Sequence, residues 1–348
     1  MVNKILVPLD GSPLSTCVLP HVVAVARATG AKVTLLRVIE RNRELSTSVN
    51  PADWRLSKVE GQAYLDELQT QLTNVLESAP ETIVLEGPAA DRIIEQAQHG
   101  DFDIVTLSSH GQSGLSGWNI SSVAQKVIQR AGKSILLVRA YQVGPECTEK
   151  DWDALHYHRI LAPLDGSQRA ESVLPMANAL AKHDGADLTL AYIAARPELF
   201  QRMPLTTEDT AFVEQLVERN QAQANKYLEQ LRTRLMPEAR TRVVVNGHIT
   251  AALHKLVNQE QVDLVVLSAH GSSGHNQWPY GGVVSNFINY GATALLIMQD
   301  LPLHNMEATQ AEAAATSQPT WRKSNGLNDA DRTTNYASGT AYAYTPTF

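Results

Sequence analysis

The sequence predicts an α/β protein made of two tandem doubly wound parallel sheets, five strands each, followed by a C-terminal flexible tail. Three observations carry this: a domain-length internal repeat, short apolar runs alternating with helical patterns inside each repeat, and the loss of apolar periodicity after residue 300. Strands that alternate with helices imply parallel pairing through helical crossovers.

The repeat is direct. KILVPLDGSPLSTCVLP (Lys4 to Pro20) matches RILAPLDGSQRAESVLP (Arg159 to Pro175), 155 positions later. IVTLSSHGQSG (Ile104 to Gly114) then matches LVVLSAHGSSG (Leu264 to Gly274), 160 positions later. A repeat of this length is a duplicated domain and not a solenoid unit. It divides the chain into a first domain (1–140), a linker (141–157), a second domain (158–300) and a tail (301–348).

In the first domain, Val/Ile/Leu-rich runs at Lys4 to Leu9, Lys32 to Ile39, Thr82 to Glu86, Asp103 to Ser108 and Ser134 to Arg139 read as strands. They are near-continuously apolar, which predicts burial on both faces. Helical patterns lie between them at Pro13 to Thr29, Arg55 to Ser78, Ala90 to His99 and Ser122 to Ala131. Ser12 is the predicted N-cap of the first, with Pro13 at N1. Strands of the second domain fall near Arg159 to Leu164, Asp187 to Ala194, Thr241 to Asn246, Val262 to Ser268 and Thr293 to Gln299, with a long amphipathic helix over Thr207 to Leu235. Pro20 and Pro175 stand inside the first helix of each domain, where a missing N–H predicts a bend. The last strand of each domain is an apolar sheet edge that needs a partner. Pairing these two edges with each other would make a pseudo-symmetric internal dimer, and a further homodimer stays open.

Bulk properties exclude several classes. A chain of 348 residues is long for a single core. The net charge of −7, without a basic run, gives no nucleic-acid footprint. Cys17 and Cys147 are a domain apart, which predicts neither a disulfide framework nor a zinc site. The opening MVNKILVPLDGS enters a strand directly, and no run of about 18 apolar residues occurs, so a cytoplasmic protein with no membrane contact is expected. Ala, Thr, Ser, Asn and Gly dominate the tail, which cannot bury a core of its own. Its Trp321, Tyr336, Tyr342, Tyr344 and Phe348 offer a docking segment for an unidentified protein partner.

In an open doubly wound sheet, ligands bind beyond the carboxyl ends of the strands where strand order reverses. The loops after the first and fourth strands are therefore the candidate site, and both carry the repeated motifs. The first is Pro8-Leu9-Asp10-Gly11-Ser12. Its glycine permits a tight turn, and its aspartate can accept hydrogen bonds from a base or ribose or help hold a hydrated metal ion. The other is Ser108-Ser109-His110-Gly111-Gln112-Ser113-Gly114, feeding a helix that begins near Ser121-Ser122. Glycine lets a phosphate approach the backbone, and the helix N-terminus supplies N–H donors and positive partial charge.

Taken together, these motifs resemble the universal stress protein family. Its ATP-binding members carry Gly-x2-Gly-x9-Gly-(Ser/Thr) after the fourth strand and an aspartate ending the first. The first domain reads Ser108-x2-Gly111-x9-Ser121-Ser122, keeping the central glycine and the final hydroxyl. The second reads Ser268-x2-Gly271-x9-Gly281-Gly282, keeping two glycines and losing the hydroxyl. The resemblance implies a Rossmann-like fold of the adenine nucleotide alpha hydrolase-like type, with ATP or another adenine nucleotide as ligand and Mg2+ as an associated ion. It places a base near Pro8, Asp10 and Val38, or near Pro163, Asp165 and Ile193. Phosphates would lie on Gly111, Ser121, Ser122 and Val123, or on Gly271, Gly281, Gly282 and Val283. Ser108 and Ser268 stand where the pattern has bare backbone. His110 and His270 occupy one loop position, with loop ordering or ribose contact as the expected role.

Other reactive residues have plainer readings. Cys17 lies in a Val-Leu context as a small core residue, with Ser172 as its counterpart. His156 and His158 have no third ligand nearby in sequence and read as solvated linker. Ser12 and Ser167 cap helices and lack the flanks of a nucleophile elbow. The function expected is a nucleotide-binding stress regulator whose state protein partners read, not an enzyme. The alternatives are a nucleotide-independent scaffold with degenerate sites and, with no Walker lysine, general base or arginine finger in view, a slow ATPase.

Overall fold

A computed structural model describes residues 2–40, 51–112, 114, 120–140, 152–196, 207–272 and 279–299. The linker over 141–151, Cys147 and the tail lie outside these residues. Ten strands form one sheet in the order β3-β2-β1-β4-β5-β10-β9-β6-β7-β8. The first half contributes β1 (Lys4–Leu9), β2 (Lys32–Ile39), β3 (Glu81–Glu86), β4 (Ile104–Ser108) and β5 (Ser134–Val138). The other contributes β6 (Arg159–Leu164), β7 (Asp187–Ala195), β8 (Arg240–Asn246), β9 (Leu264–Ser268) and β10 (Ala294–Met298). Within each half the strands are parallel, as their apolar runs predict. Burial on both faces holds for the central strands, but β3 and β8 are largely half-exposed. Among the described residues each has a strand neighbour on one side only, so less of its surface is covered.

The two predicted edges do meet. β5 and β10 pair antiparallel, with Leu137 opposite Leu295, Leu136 opposite Leu296 and Ile135 opposite Ile297. The exchange is symmetric about Leu136 and Leu296, so the two five-stranded sheets become one through an internal pseudo-dimer. Two side chains tie the joint further. Fully buried Arg139 donates from Nη2 to the carbonyls of Phe287 (2.7 Å) and Ile288 (2.9 Å), near the end of α10 (Gly282–Tyr290). In return, the Tyr280 hydroxyl donates to the Ile128 carbonyl at 2.8 Å, in α5 (Ser122–Arg130).

The expected first helix of each half is split in two. α1 (Pro13–Thr16) and α2 (Leu19–Thr29) are separated at Cys17 and Val18, and α6 (Gln168–Glu171) and α7 (Leu174–Asp184) at Ser172 and Val173. Pro20 and Pro175 fall in the first turn of α2 and α7, where an absent N–H costs nothing. The long helices are α3 (Pro51–Thr73) and α8 (Thr207–Leu235); α4 (Ala89–His99) and α9 (Ile249–Gln259) lie on the other face with α5 and α10. Part of the predicted linker is also packed structure. Trp152 and Tyr157 are buried, and the Tyr157 hydroxyl lies 2.8 Å from His21 Nδ1 on α2. His156 and His158 stay exposed.

Candidate nucleotide site

The loop after β1 turns at Gly11, whose φ of +77° suits glycine. Ser12 then caps α1, accepting from the Ser15 N–H at 3.1 Å. Asp10 is held from both sides. Its Oδ1 accepts from the Ser12 N–H (2.9 Å) and hydroxyl (2.6 Å), and its Oδ2 accepts from the Gln112 N–H of the loop after β4. The second half repeats this: Asp165 accepts from the Ser167 N–H (3.0 Å) and hydroxyl (2.6 Å), and from the Ser272 N–H at 2.6 Å. Burial alone would push the Asp10 carboxyl up. Hydrogen bonds from the Ser12 hydroxyl, the Ser12 and Gln112 N–H groups and Ser15 outweigh it and hold the carboxyl below the usual carboxylate range. Asp165 is lowered in the same way, burial being outweighed by Ser167 and Ser272.

This staple gives the motif glycines a cause that sequence reasoning missed. A Cβ on Gly111 would fall inside van der Waals contact of Asp10 Oδ2, and one on Gly271 inside contact of Asp165 Oδ2. Close approach of a carboxylate, before any phosphate, requires glycine there. The serines of the motif are used locally. The Ser108 hydroxyl donates to the Leu14 carbonyl at 2.8 Å, with Cys17 Sγ 3.5 Å away and buried in the core. Its counterpart Ser268 is buried with its hydroxyl unpartnered among the described residues.

His110 and His270 are both buried. His110 Nδ1 lies 3.0 Å from the Ser109 hydroxyl, which accepts from the Ala140 N–H at 3.1 Å, tying the loop to the end of β5. Ser121 is the N-cap of α5 and accepts from the Ala124 N–H at 3.2 Å. Gly281 is the N-cap of α10 with no side chain to do so, and a Cβ at Gly282 would meet open space. Ser122 and Gly282 are exposed at the first position of their helices.

A cleft of about 1140 Å³ gathers the whole first-half set: Pro8, Asp10, Val38, Ser108, His110, Gly111, Ser121, Ser122 and Val123. Leu36, Val38, Ile93 and Val123 make one side apolar, and the N-terminus of α5 opens onto it. Arg37, Glu40, Glu60 and Gln112 also line it and were missed by sequence reasoning. A charged residue within an apolar strand was the available signal for Arg37. In the second half, Gly271 lies against Asp165, and Gly281 lies against Ala269, His270 and Gly271. Pro163 and Ile193 stand on the adjacent strands β6 and β7. Among the described residues, no group of three or more His, Cys, Asp or Glu could hold a metal ion, and no helix is long and apolar enough to cross a membrane.

The chain is similar to known proteins. The family model of the universal stress protein family matches twice, over residues 1–139 and 156–298. Universal stress protein MJ0531 of Methanocaldococcus jannaschii is 28% identical over 143 residues, 39% of this chain and 82% of its own length. Universal stress protein YxiE of Bacillus subtilis is 28% identical over 149 residues, 40% of this chain and its full length. Each therefore spans a little under half of this chain. A solved universal stress protein from Archaeoglobus fulgidus covers 86% of the chain and 99% of its own, with a TM-score of 0.57 at 16% identity, a likeness of fold. Matched twice across most of its length, the chain belongs to the universal stress protein family in a tandem two-domain form.

Proposed function

We propose that the protein is a stress-response regulator that binds ATP or another adenine nucleotide, with the first half as the principal site. The observation that carries this is the cleft at the switch point between β1 and β4. It joins an apolar wall for a base, an ionised Asp10 and the N–H groups of the α5 N-terminus. These features fit an adenine nucleotide. Val38 and Ile93 would cover the base, and the first turn of α5 with the Ser122 hydroxyl would hold phosphate oxygens. A Mg2+ ion would enter with the phosphates, meeting the acidic side chains of the cleft. The other half keeps the backbone donors but lacks both the Ser121 cap and the Ser122 hydroxyl, and it is the weaker site.

The Asp10 staple supports a signalling role over a storage one. It connects the base-side loop to the phosphate-side loop, so a ligand that draws on Asp10 changes the hold on Gln112 and alters the surface a protein partner meets. The reading is of a binder without turnover; product formation above background in purified protein would overturn that part. Isothermal titration of nucleotide-free protein with ATP, ADP, AMP and cyclic AMP tests the whole reading. At least one should bind, and a Gly111→Val variant should lose that heat. No heat with any of the four would refute it.

A further inference from the structure

We infer that Arg37 sets the ligand class of the first-half cleft: an adenine nucleotide that carries a second phosphate on its ribose, at C2′ or C3′, besides the phosphate at C5′. This rests on the adenine-nucleotide reading above and goes further by naming where the ligand's second anion sits.

Two glycines fix the position of the guanidinium. Arg37 lies near the end of β2, opposite Leu9. Its stem passes Gly61 of α3, where an added Cβ would stand 3.4 Å from Arg37 Cγ. Its guanidinium comes to rest at Gly11, with Cζ, Nη1 and Nη2 all 3.5 Å from the place a Cβ would take. Gly11 follows Asp10 directly, so the cation stands beside the carboxylate that faces the base and ribose side of the cleft.

This cation has no counter-charge of its own. Arg37 is half-buried, its Nη1 donates to the Leu9 carbonyl at a long 3.3 Å, and among the described residues no carboxylate pairs with it. The acids lining the same cleft are placed otherwise. Asp10 is held by Ser12 and Gln112, Glu40 accepts from the Ala89 N–H, and Glu60 is exposed on α3. Removing a charge from water without a partner is costly, and an anionic group on the ligand offsets that cost. The remaining N–H donors of the guanidinium suit a phosphate, which they can meet as a fork.

Sheet order supplies the spacing. β2 and β4 flank β1, so Arg37 and the α5 N-terminus that follows β4 stand on either side of Asp10, two strand spacings or roughly 10 Å apart. Two anion sites with an accepting carboxylate between them match a ribose phosphorylated at both edges. Its 5′-phosphate would meet the first turn of α5, a sugar hydroxyl Asp10, and the other phosphate Arg37. ATP serves the α5 side alone, because its phosphates form one chain. Dinucleotide-binding folds use a similar device, in which an arginine near the ribose accommodates a 2′-phosphate. The second half has no such cation, since Tyr192 stands opposite Leu164 as Arg37 stands opposite Leu9.

The test is isothermal titration of the nucleotide-free full chain with AMP, ADP, adenosine 2′,5′-bisphosphate and adenosine 3′,5′-bisphosphate. ADP carries as many phosphates as the bisphosphates and so controls for charge. One bisphosphate should bind at least about tenfold tighter than AMP, the effect of one charge-assisted contact. Arg37→Gln should bring that ratio to about one while leaving the ratio of ADP to AMP as in wild type. Arg37→Lys, which keeps the charge and loses the fork, should retain part of the preference. The inference is overturned if neither bisphosphate binds tighter than AMP, if Arg37→Gln keeps the preference, or if it lowers the ADP ratio equally, as a merely structural role would. In each of those cases AMP or ADP still binds and the adenine-nucleotide reading stands; if none of the ligands binds wild type, both fall.

Discussion

Replacing Gly111 with alanine tests why a glycine stands in the loop after β4. The backbone there is not among the positive-φ positions, so alanine brings no conformational strain of that kind. Its Cβ, however, would occupy the place of Asp10 Oδ2 and push the carboxylate away from the Gln112 N–H. Hydrogen bonds to a charged group contribute about 1.5–3 kcal/mol net, so losing one and straining those from Ser12 should cost about 2–4 kcal/mol. The assay is urea denaturation of wild type, Gly111→Ala, Asp10→Ala and the double variant at constant m-value. With the Asp10 carboxylate removed, alanine at 111 has nothing to displace and should cost under about 0.5 kcal/mol, leaving a coupling energy of about 2 kcal/mol or more. Additive costs would refute the reasoning and return the glycine to a role in ligand approach alone.

Four further outcomes are expected. Burial lowers the His21 pKa to about 4, below the ordinary 6.5, so its contribution is complete above pH 6.5 and lost as pH falls towards 4. Between pH 7.5 and pH 5 that loss is about 2 kcal/mol, and a His21→Leu variant should show a correspondingly flatter urea midpoint across this range. Ser108→Ala, which orphans the Leu14 carbonyl, should cost about 1 kcal/mol, whereas Ser268→Ala should be neutral or stabilising because the hydroxyl removed has no partner among the described residues. Gly282→Ser, entering open space at the start of α10, should tighten nucleotide binding in the second half severalfold, read as a second site in calorimetry of the Gly111→Val background. Arg139→Met should lower the unfolding midpoint by removing the donor to Phe287 and Ile288, a loss of about 2–4 kcal/mol.

Much of the fold was legible because it rests on local pattern. Apolar runs of five to eight residues separated by helical periodicity require a parallel sheet, and the long helix over Thr207 to Leu235 was bounded by its own amphipathic stripe. The pairing of β5 with β10 followed from two apolar edges with nowhere else to go. What was hidden depends on contacts between segments far apart in sequence. Nothing near Trp152 or Tyr157 announces that they are buried, because their cover comes from elsewhere in the fold. At the site, the motif spacing marked residues that the first half does bring into one cleft, but not what Asp10 does there: its Oδ2 partner is 102 residues away.

The joint between β5 and β10 has a consequence beyond stability. Two separate copies meeting along this edge would be bound by symmetry, so every substitution in one would appear in the other. Their association would also weaken on dilution, whereas a covalent tether holds the halves at a fixed effective concentration. Joining the copies in one chain removes both constraints. Arg37 can stand in one half where the other has Tyr192, and Ser122 can carry a hydroxyl where the other half has Gly282. The fused edge thus keeps the two halves paired while leaving each free to differ from the other residue by residue.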